Sequence, residues 1–374
     1  MSLLTRIRYT SIRIDAVHYC ELEEFLSSKR RHDNLDISMI RLHLLPNTLR
    51  QNRWLGSLVQ FLKLPYMTRE FHKSHLARAV ADCPNLRHVD LPDSFFSGDP
   101  DCNLLRQELL THCPDLRSMK YHARSEQFFQ QLAQRQWQAI ETLELRKLSV
   151  DTLTLRTVLA FLPLLLELSL KSLPNLTDEI YTNLPQLPPF PRLRMLGISG
   201  CKGLTTTGIT RYLKNCEMLS SLSLEHTAIT VPELAAVLDS ASNLKNFVYV
   251  QTVSSELPVE QLPPLRSLTL QILHYEISPS DTSLPINPYH DYLAQSLFAN
   301  GLPSLHTVHL SSWTCQQPLL ALSHPLQIHT TSTNDDTKLF CQAFSPQPSS
   351  ATDRLVLAHR RVRNGREQRI DLWR

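Results

Sequence analysis

Apolar residues recur along most of the chain in one arrangement: three at offsets 0, +3 and +5, then a stretch with helical spacing. Leu193, Leu196 and Ile198 set the pattern, Cys201 follows, and Leu204, Ile209, Tyr212 and Leu213 then occupy one helical face. Offsets +3 and +5 lie on the same side of a strand, whereas the later spacing fits 3.6 residues per turn. A short strand, a turn, a helix and a return loop are expected. Neither apolar side can be covered within the unit, so it is stable when stacked on copies of itself. Copies start at Leu86/Val89/Leu91, Leu116/Met119/Tyr121, Ile140/Leu143/Leu145, Leu165/Leu168/Leu170, Leu219/Leu222/Leu224, Leu244/Phe247/Tyr249, Leu265/Leu268/Leu270 and Leu305/Val308/Leu310. With Leu193 in its place, the first positions lie 30, 24, 25, 28, 26, 25, 21 and 40 residues apart. Most of these intervals fall in the roughly 20–29-residue period of leucine-rich repeats. The expected fold class is α/β: a leucine-rich repeat solenoid, with a curved parallel sheet on the concave side and helices on the convex side.

The two ends modify this picture. Residues 1–64 read as degenerate repeats, with strand spacing at Tyr9/Ile12/Ile14 and Ile37/Ile40/Leu42. Asn52 to Leu64 carries Trp54, Leu55, Leu58, Phe61 and Leu62, the pattern of one amphipathic helix. The solenoid proper is expected over 65–345, with an insertion around 273–304. There Pro279, Pro285 and Pro288 predict a loop, and Asn287-Pro288 starts a helix through Ala299. Residues 346–374 read as a linker and a basic β-hairpin cap, with Asn364-Gly365 between alternating segments that include Arg360, Arg361, Arg366 and Arg369. Helix starts are marked by Thr230/Glu233 in capping-box spacing, by Ser125 before Glu126, and by Thr177 before Asp178-Glu179.

Charge adds an exclusion. The 38 Lys and Arg against 35 Asp and Glu leave a net charge of +3, too balanced for nucleic acid or a membrane surface to be an obligate partner. No run of about 18 apolar residues occurs, and Met1–Arg8 lacks the apolar core of a signal peptide. The expected location is cytoplasmic or nuclear. Asn175-Leu-Thr177 would be a glycosylation sequon in a secreted chain alone. The eight cysteines include no closely spaced pair of the kind zinc sites use. Cys83, Cys113 and Cys216 precede strands by three residues and read as small core groups. His72 and His75 flank a helix start near Cys83 without metal-ligand spacing. Gly-x-Ser-x-Gly and phosphate-cradling glycine loops are absent from the sequence. No enzyme activity, catalytic residue, metal or cofactor is expected.

What such a chain offers is a surface. If offsets +3 and +5 face the core, then +2, +4 and +6 face outward along the sheet. The charged outward positions are His88, Asp90, Lys120, His122, Glu144, Arg146, Glu167, Lys171, Glu225 and His309, and these are the candidate partner-binding residues. Rows before Leu193 are charged. Later rows, such as Ser221/Ser223 and Ser267/Thr269/Gln271, are small and neutral.

Cys83-Pro-Asn-Leu-Arg-His-Val-Asp-Leu91, Cys113-Pro-Asp-Leu-Arg-Ser-Met-Lys-Tyr121 and Leu176-Thr-Asp-Glu-Ile180 resemble the cysteine-containing leucine-rich repeats of fungal F-box proteins. The likeness covers about residues 9 to 330. It implies a non-enzymatic recognition module, similar to the substrate-binding part of an SCF-type ubiquitin ligase receptor. A protein substrate would sit on the concave face, with no nucleic acid or membrane partner. In the family an N-terminal F-box docks on a Skp-type adaptor; here strand spacing at Tyr9 stands where that module is expected, so the adaptor is implied if an F-box is supplied or hidden. The alternative is a leucine-rich repeat scaffold or GTPase-regulator-like protein outside ubiquitin chemistry.

Overall fold

The computed structural model describes residues 11–13, 45–63, 73–91, 100–134, 137–182, 189–258, 262–281 and 285–310, together with the strand backbones at 326–331, 338–343, 357–363 and 366–371. The chain forms two compact units, Met1–Asn175 with Asn183–Pro191, and Leu176–Thr182 with Arg192–Arg374. Both are mixed α/β and compatible with leucine-rich-repeat-like stacking.

In the first unit β1 (Ser11–Arg13), β2 (Phe61–Lys63) and β3 (His88–Asp90) pair in parallel, as do β4 (Ser118–Tyr121), β5 (Thr142–Arg146) and β6 (Glu167–Lys171). Its helices include α1 (Arg53–Leu58), α2 (Lys73–Ala81), α3 (Pro100–His112), α4 (Glu126–Gln131) and α5 (Thr152–Ala160). In the second unit β7 (Met195–Ser199), β8 (Ser221–Glu225), β9 (Asn246–Val253), β10 (Ile272–Pro279), β11 (Thr307–Leu310) and β12 (Leu326–Thr331) run parallel. Then β13 (Lys338–Ala343), β14 (Leu357–Arg363) and β15 (Arg366–Asp371) continue antiparallel. Helices α6 (Thr206–Lys214), α7 (Leu234–Ser240) and α8 (Asn287–Phe298) belong to this unit.

Alternation within each strand builds the core. Leu143 pairs in register with Leu168 and Leu145 with Leu170; Leu196–Leu222–Phe247 and Ile198–Leu224–Tyr249 do the same in the second unit. All are buried. The chain leaves β5, β6, β7 and β8 through one left-handed residue each: Lys147, Ser172, Gly200 and His226, with φ between 48 and 65°. This turn lets the amide just past a strand donate to its neighbour: Lys147 N to Lys171 O at 2.9 Å, Gly200 N to Glu225 O at 2.8 Å, and His226 N to Val250 O at 2.8 Å. Cys83 and Cys113 are buried, and the Cys113 thiol donates to the Cys83 carbonyl at 3.5 Å, fixing one helix end against the next.

The helix starts behave in two ways. The Thr230–Glu233 capping box forms as expected. Thr177 instead precedes a single 3-10 turn, Asp178–Tyr181, and Asp178 reaches forward to accept from Thr205 N at 2.8 Å, capping α6. A Cβ at Gly208 would lie 2.2 Å from the Asp178 carboxylate, so the glycine is what admits this cap.

Periodicity misleads at two places. The amphipathic stretch from Asn52 is two elements, α1 and β2, because Leu62 takes a buried position in the sheet while Trp54 stays 47% exposed. Residues Tyr9, Ile14, Ile37, Ile40 and Leu42 lie outside the described residues. The trio Leu265/Leu268/Leu270 is not a strand. The strand is β10, whose Leu273 and Tyr275 pair with Phe247 and Tyr249, and Leu268 is 80% exposed. The segment read as an insertion from 273 therefore begins with a full strand and ends with α8.

No helix stands between β9 and β10 among the described residues, and α8 compensates. Its residues 289, 292 and 296 share one face. The Tyr289 hydroxyl donates to Ser255 O at 2.6 Å, the Tyr292 hydroxyl to Pro263 O at 2.6 Å, and Ser296 Oγ accepts from Leu265 N at 2.9 Å. Backbone groups that a helix would have satisfied internally are satisfied by side chains instead. Removing the buried Ser296 acceptor leaves the Leu265 amide unpaired, so Ser296→Ala is expected to cost about 1–3 kcal/mol of unfolding free energy, read from urea titrations.

His290, on the same helix, is 3% exposed, its Nδ1 lies 3.1 Å from Ile286 O, and its ring meets Tyr275 edge-on. Burial lowers its pKa below the usual imidazole value. The folded state thus keeps the ring neutral while the unfolded chain takes up a proton near pH 6.5. The resulting stability is complete above about pH 6.5 and is lost as the pH falls toward the folded-state value. The urea midpoint is expected to drop from pH 7 to about 5.5, and to drop less in His290→Gln.

Candidate functional site

On strands β4 to β6 the outward side chains form three rows. The first is Ser118, Thr142 and Glu167; the second is Lys120, Glu144 and Ser169; the third holds Arg146 opposite Lys171. Glu144 lies between two lysines, 2.7 Å from Lys171 Nζ and 4.0 Å from Lys120 Nζ. Thr142 donates to Glu167 at 3.2 Å, and Arg117 pairs with Glu141 at 2.9 Å. His122 follows β4, and its carbonyl accepts from Ser125 N at 3.1 Å. His88 lies on β3 with its ring 6.2 Å from that of Phe61. Asp90 ends β3 in register with Lys63, its side chain outside the described residues.

The second unit presents a different face. The row Gly197, Ser223, Val248, His274, His309 crosses five strands in register. Glu225 accepts from Ser223 Oγ at 2.9 Å. His309 stacks on His274 with ring centroids 5.7 Å apart and 17° between planes, and His274 Nε2 lies 3.2 Å from Glu276. His274 and Glu276 take the outward positions that the leucine spacing assigns to Ser267/Thr269/Gln271. A signal was present: Leu273, Tyr275 and Ile277 alternate strictly with His274 and Glu276, a better strand signature than a three-residue leucine spacing. The structure brings Lys120, Glu144, Arg146, Glu167 and Lys171 together on one face; Glu225 and His309 belong to the other unit.

Chemical reactivity is muted. Burial, assisted by the Cys113 thiol, pushes the Cys83 pKa up to about 12, and burial does the same for Cys113. Both are packing groups, not nucleophiles. His72 lies outside the described residues, as does the side chain of His75. Among the described residues no three His, Cys, Asp or Glu side chains converge at metal-holding geometry, and no helix is long and apolar enough to cross a membrane.

The stacked architecture has a counterpart among solved structures. The chain is similar in fold to one in the crystal structure of the Rad7 and Elc1 complex from yeast. The TM-score is 0.50 at 14% identity, over 71% of this chain and 66% of that one. The likeness therefore spans just under two thirds of the neighbour's length, and at this identity it bears on fold alone. No protein-family model and no curated protein matches the sequence.

Exposed ion pairs contribute little and are screened by salt. Glu144→Gln is expected to lower stability by less than about 1 kcal/mol at low ionic strength, and the difference should vanish near 0.5 M salt. Urea titrations at the two salt concentrations measure it.

Proposed function

We propose that the chain is a leucine-rich repeat solenoid that acts as a non-enzymatic protein-recognition module, of the kind that forms the substrate-binding part of an SCF-type ubiquitin ligase receptor. The observation that carries this reading is the outward face of β4–β6. Its polar and charged side chains are held in fixed rows by a buried register. A rigid face of this kind binds by shape and charge, with a few anchors providing most of the affinity. The cysteine-bearing repeats at Cys83 and Cys113 support the F-box-type assignment, and the fold neighbour comes from a two-protein complex. The residues proposed to meet the partner are His88, Asp90, Lys120, His122, Glu144, Arg146, Glu167, Lys171, Glu225 and His309.

The ubiquitin-ligase part of this reading is separable from the recognition part. Titration of a purified Skp-type adaptor into the full chain by calorimetry is expected to give a saturable 1:1 complex. A flat titration would remove the ligase role and leave the recognition role to be judged by its own partner.

A further inference from the structure

We infer that the second unit binds a second copy of this chain through a recess between the carboxyl ends of α7 and α8. The inference is independent of the recognition reading. Between β9 and β10, where no helix stands among the described residues, the segment leading into β10 borders a cavity of about 580 Å³. Leu238 and Ala241 from the end of α7, Leu268, and Ala299 just past α8 line it, with Asp239 and Arg266 beside them. Leu268 is 80% exposed, more than any other large apolar side chain among the described residues.

Leu268 is held in that position. Leu265 N donates to Ser296 Oγ at 2.9 Å and Ser267 N to Gly301 O at 2.8 Å. Ser304 Oγ donates to Leu268 O at 2.6 Å, and Thr269 Oγ1 to Leu244 O at 2.9 Å. The repeat itself does not call for an apolar residue there. Ile272 pairs with Asn246, and Asn246 with Ser221. Four residues earlier on each segment stand Leu268, Ser242 and Glu217, the last two polar and exposed. An exposed leucine fixed beside a hollow needs little further ordering to act as an anchor.

The occupant follows from the way the patch complements itself. Asp239 and Arg266 are exposed, and neither forms an ion pair or side-chain hydrogen bond among the described residues. One copy thus offers a hollow, a leucine, a cation and an anion. A two-fold axis sets each against its complement: Leu268 enters the other copy's recess, and Arg266 meets the other copy's Asp239. A segment acidic or basic throughout would face a like charge at one of the two positions. Ten residues line the recess, fewer than the roughly 20–30 on each side of a stable interface. The dimer is therefore a weak one, in the micromolar range.

Sedimentation velocity of the full chain from about 5 to 200 μM tests this, and a monomer–dimer equilibrium is expected over that range. Leu268→Ser, which removes no core packing, is expected to weaken the dimer about tenfold or more. Arg266→Asp and Asp239→Arg are each expected to leave the chain monomeric. An equimolar mixture of the two is expected to dimerise again, because both contacts then join opposite charges. A chain monomeric throughout would overturn the proposal. So would a dimer that Leu268→Ser leaves intact, or a mixture that stays monomeric. A flat adaptor titration bears on none of these outcomes.

Discussion

Parallel register is the constraint on which the rest depends. Each of the strands β4 to β8 contributes two buried apolar residues, and a slip of one residue would exchange its buried and outward faces. Leu143 against Leu168 and Leu196 against Leu222 therefore fix more than the core. They also decide that Arg146 meets Lys171 and that His274 meets His309. Outward chemistry is free to vary because inward chemistry holds the register. A face can then carry unfavourable neighbours whose cost is spread over a large buried ladder.

Two devices link one repeat to the next beyond the sheet. Left-handed turns pass an amide from the end of one strand to the carbonyl of its neighbour, and Asp178 caps a helix that begins 28 residues later at Thr206. Both satisfy polar groups that a lone repeat would leave to water. Stability is then shared between neighbours, as expected for a quasi-one-dimensional stack. Between β9 and β10, where no helix stands among the described residues, Tyr289, Tyr292 and Ser296 perform the same service from α8.

The period, the strand–helix alternation and most inward residues were legible because they follow from two simple spacings, 2 and 3.6. Legibility failed where one spacing imitated another. Leu265, Leu268 and Leu270 match the strand offsets, yet Leu268 lies almost fully in solvent. The true strand was readable five residues on, but its inward positions include Tyr275, not leucine throughout. Phe61 and Leu62 fit a helical face equally well until pairing with His88 and Val89 decides for a strand. Long-range pairing of this kind overrides local propensity.

The charged face was legible residue by residue, but its arrangement was not. Lys120, Glu144 and Lys171 could be placed outward from offsets; that one carboxylate serves two lysines required the register. The left-handed turns at Lys147, Ser172 and His226 were invisible in the sequence. A left-handed backbone is signalled in sequence by glycine, and here lysine, serine and histidine occupy the same kind of turn as Gly200. Backbone sign is set by the hydrogen bond that closes the turn, such as Lys147 N to Lys171 O, and that bond belongs to the neighbouring strand. When the next strand dictates the turn, the residue type is released from conformational duty and left to serve the surface.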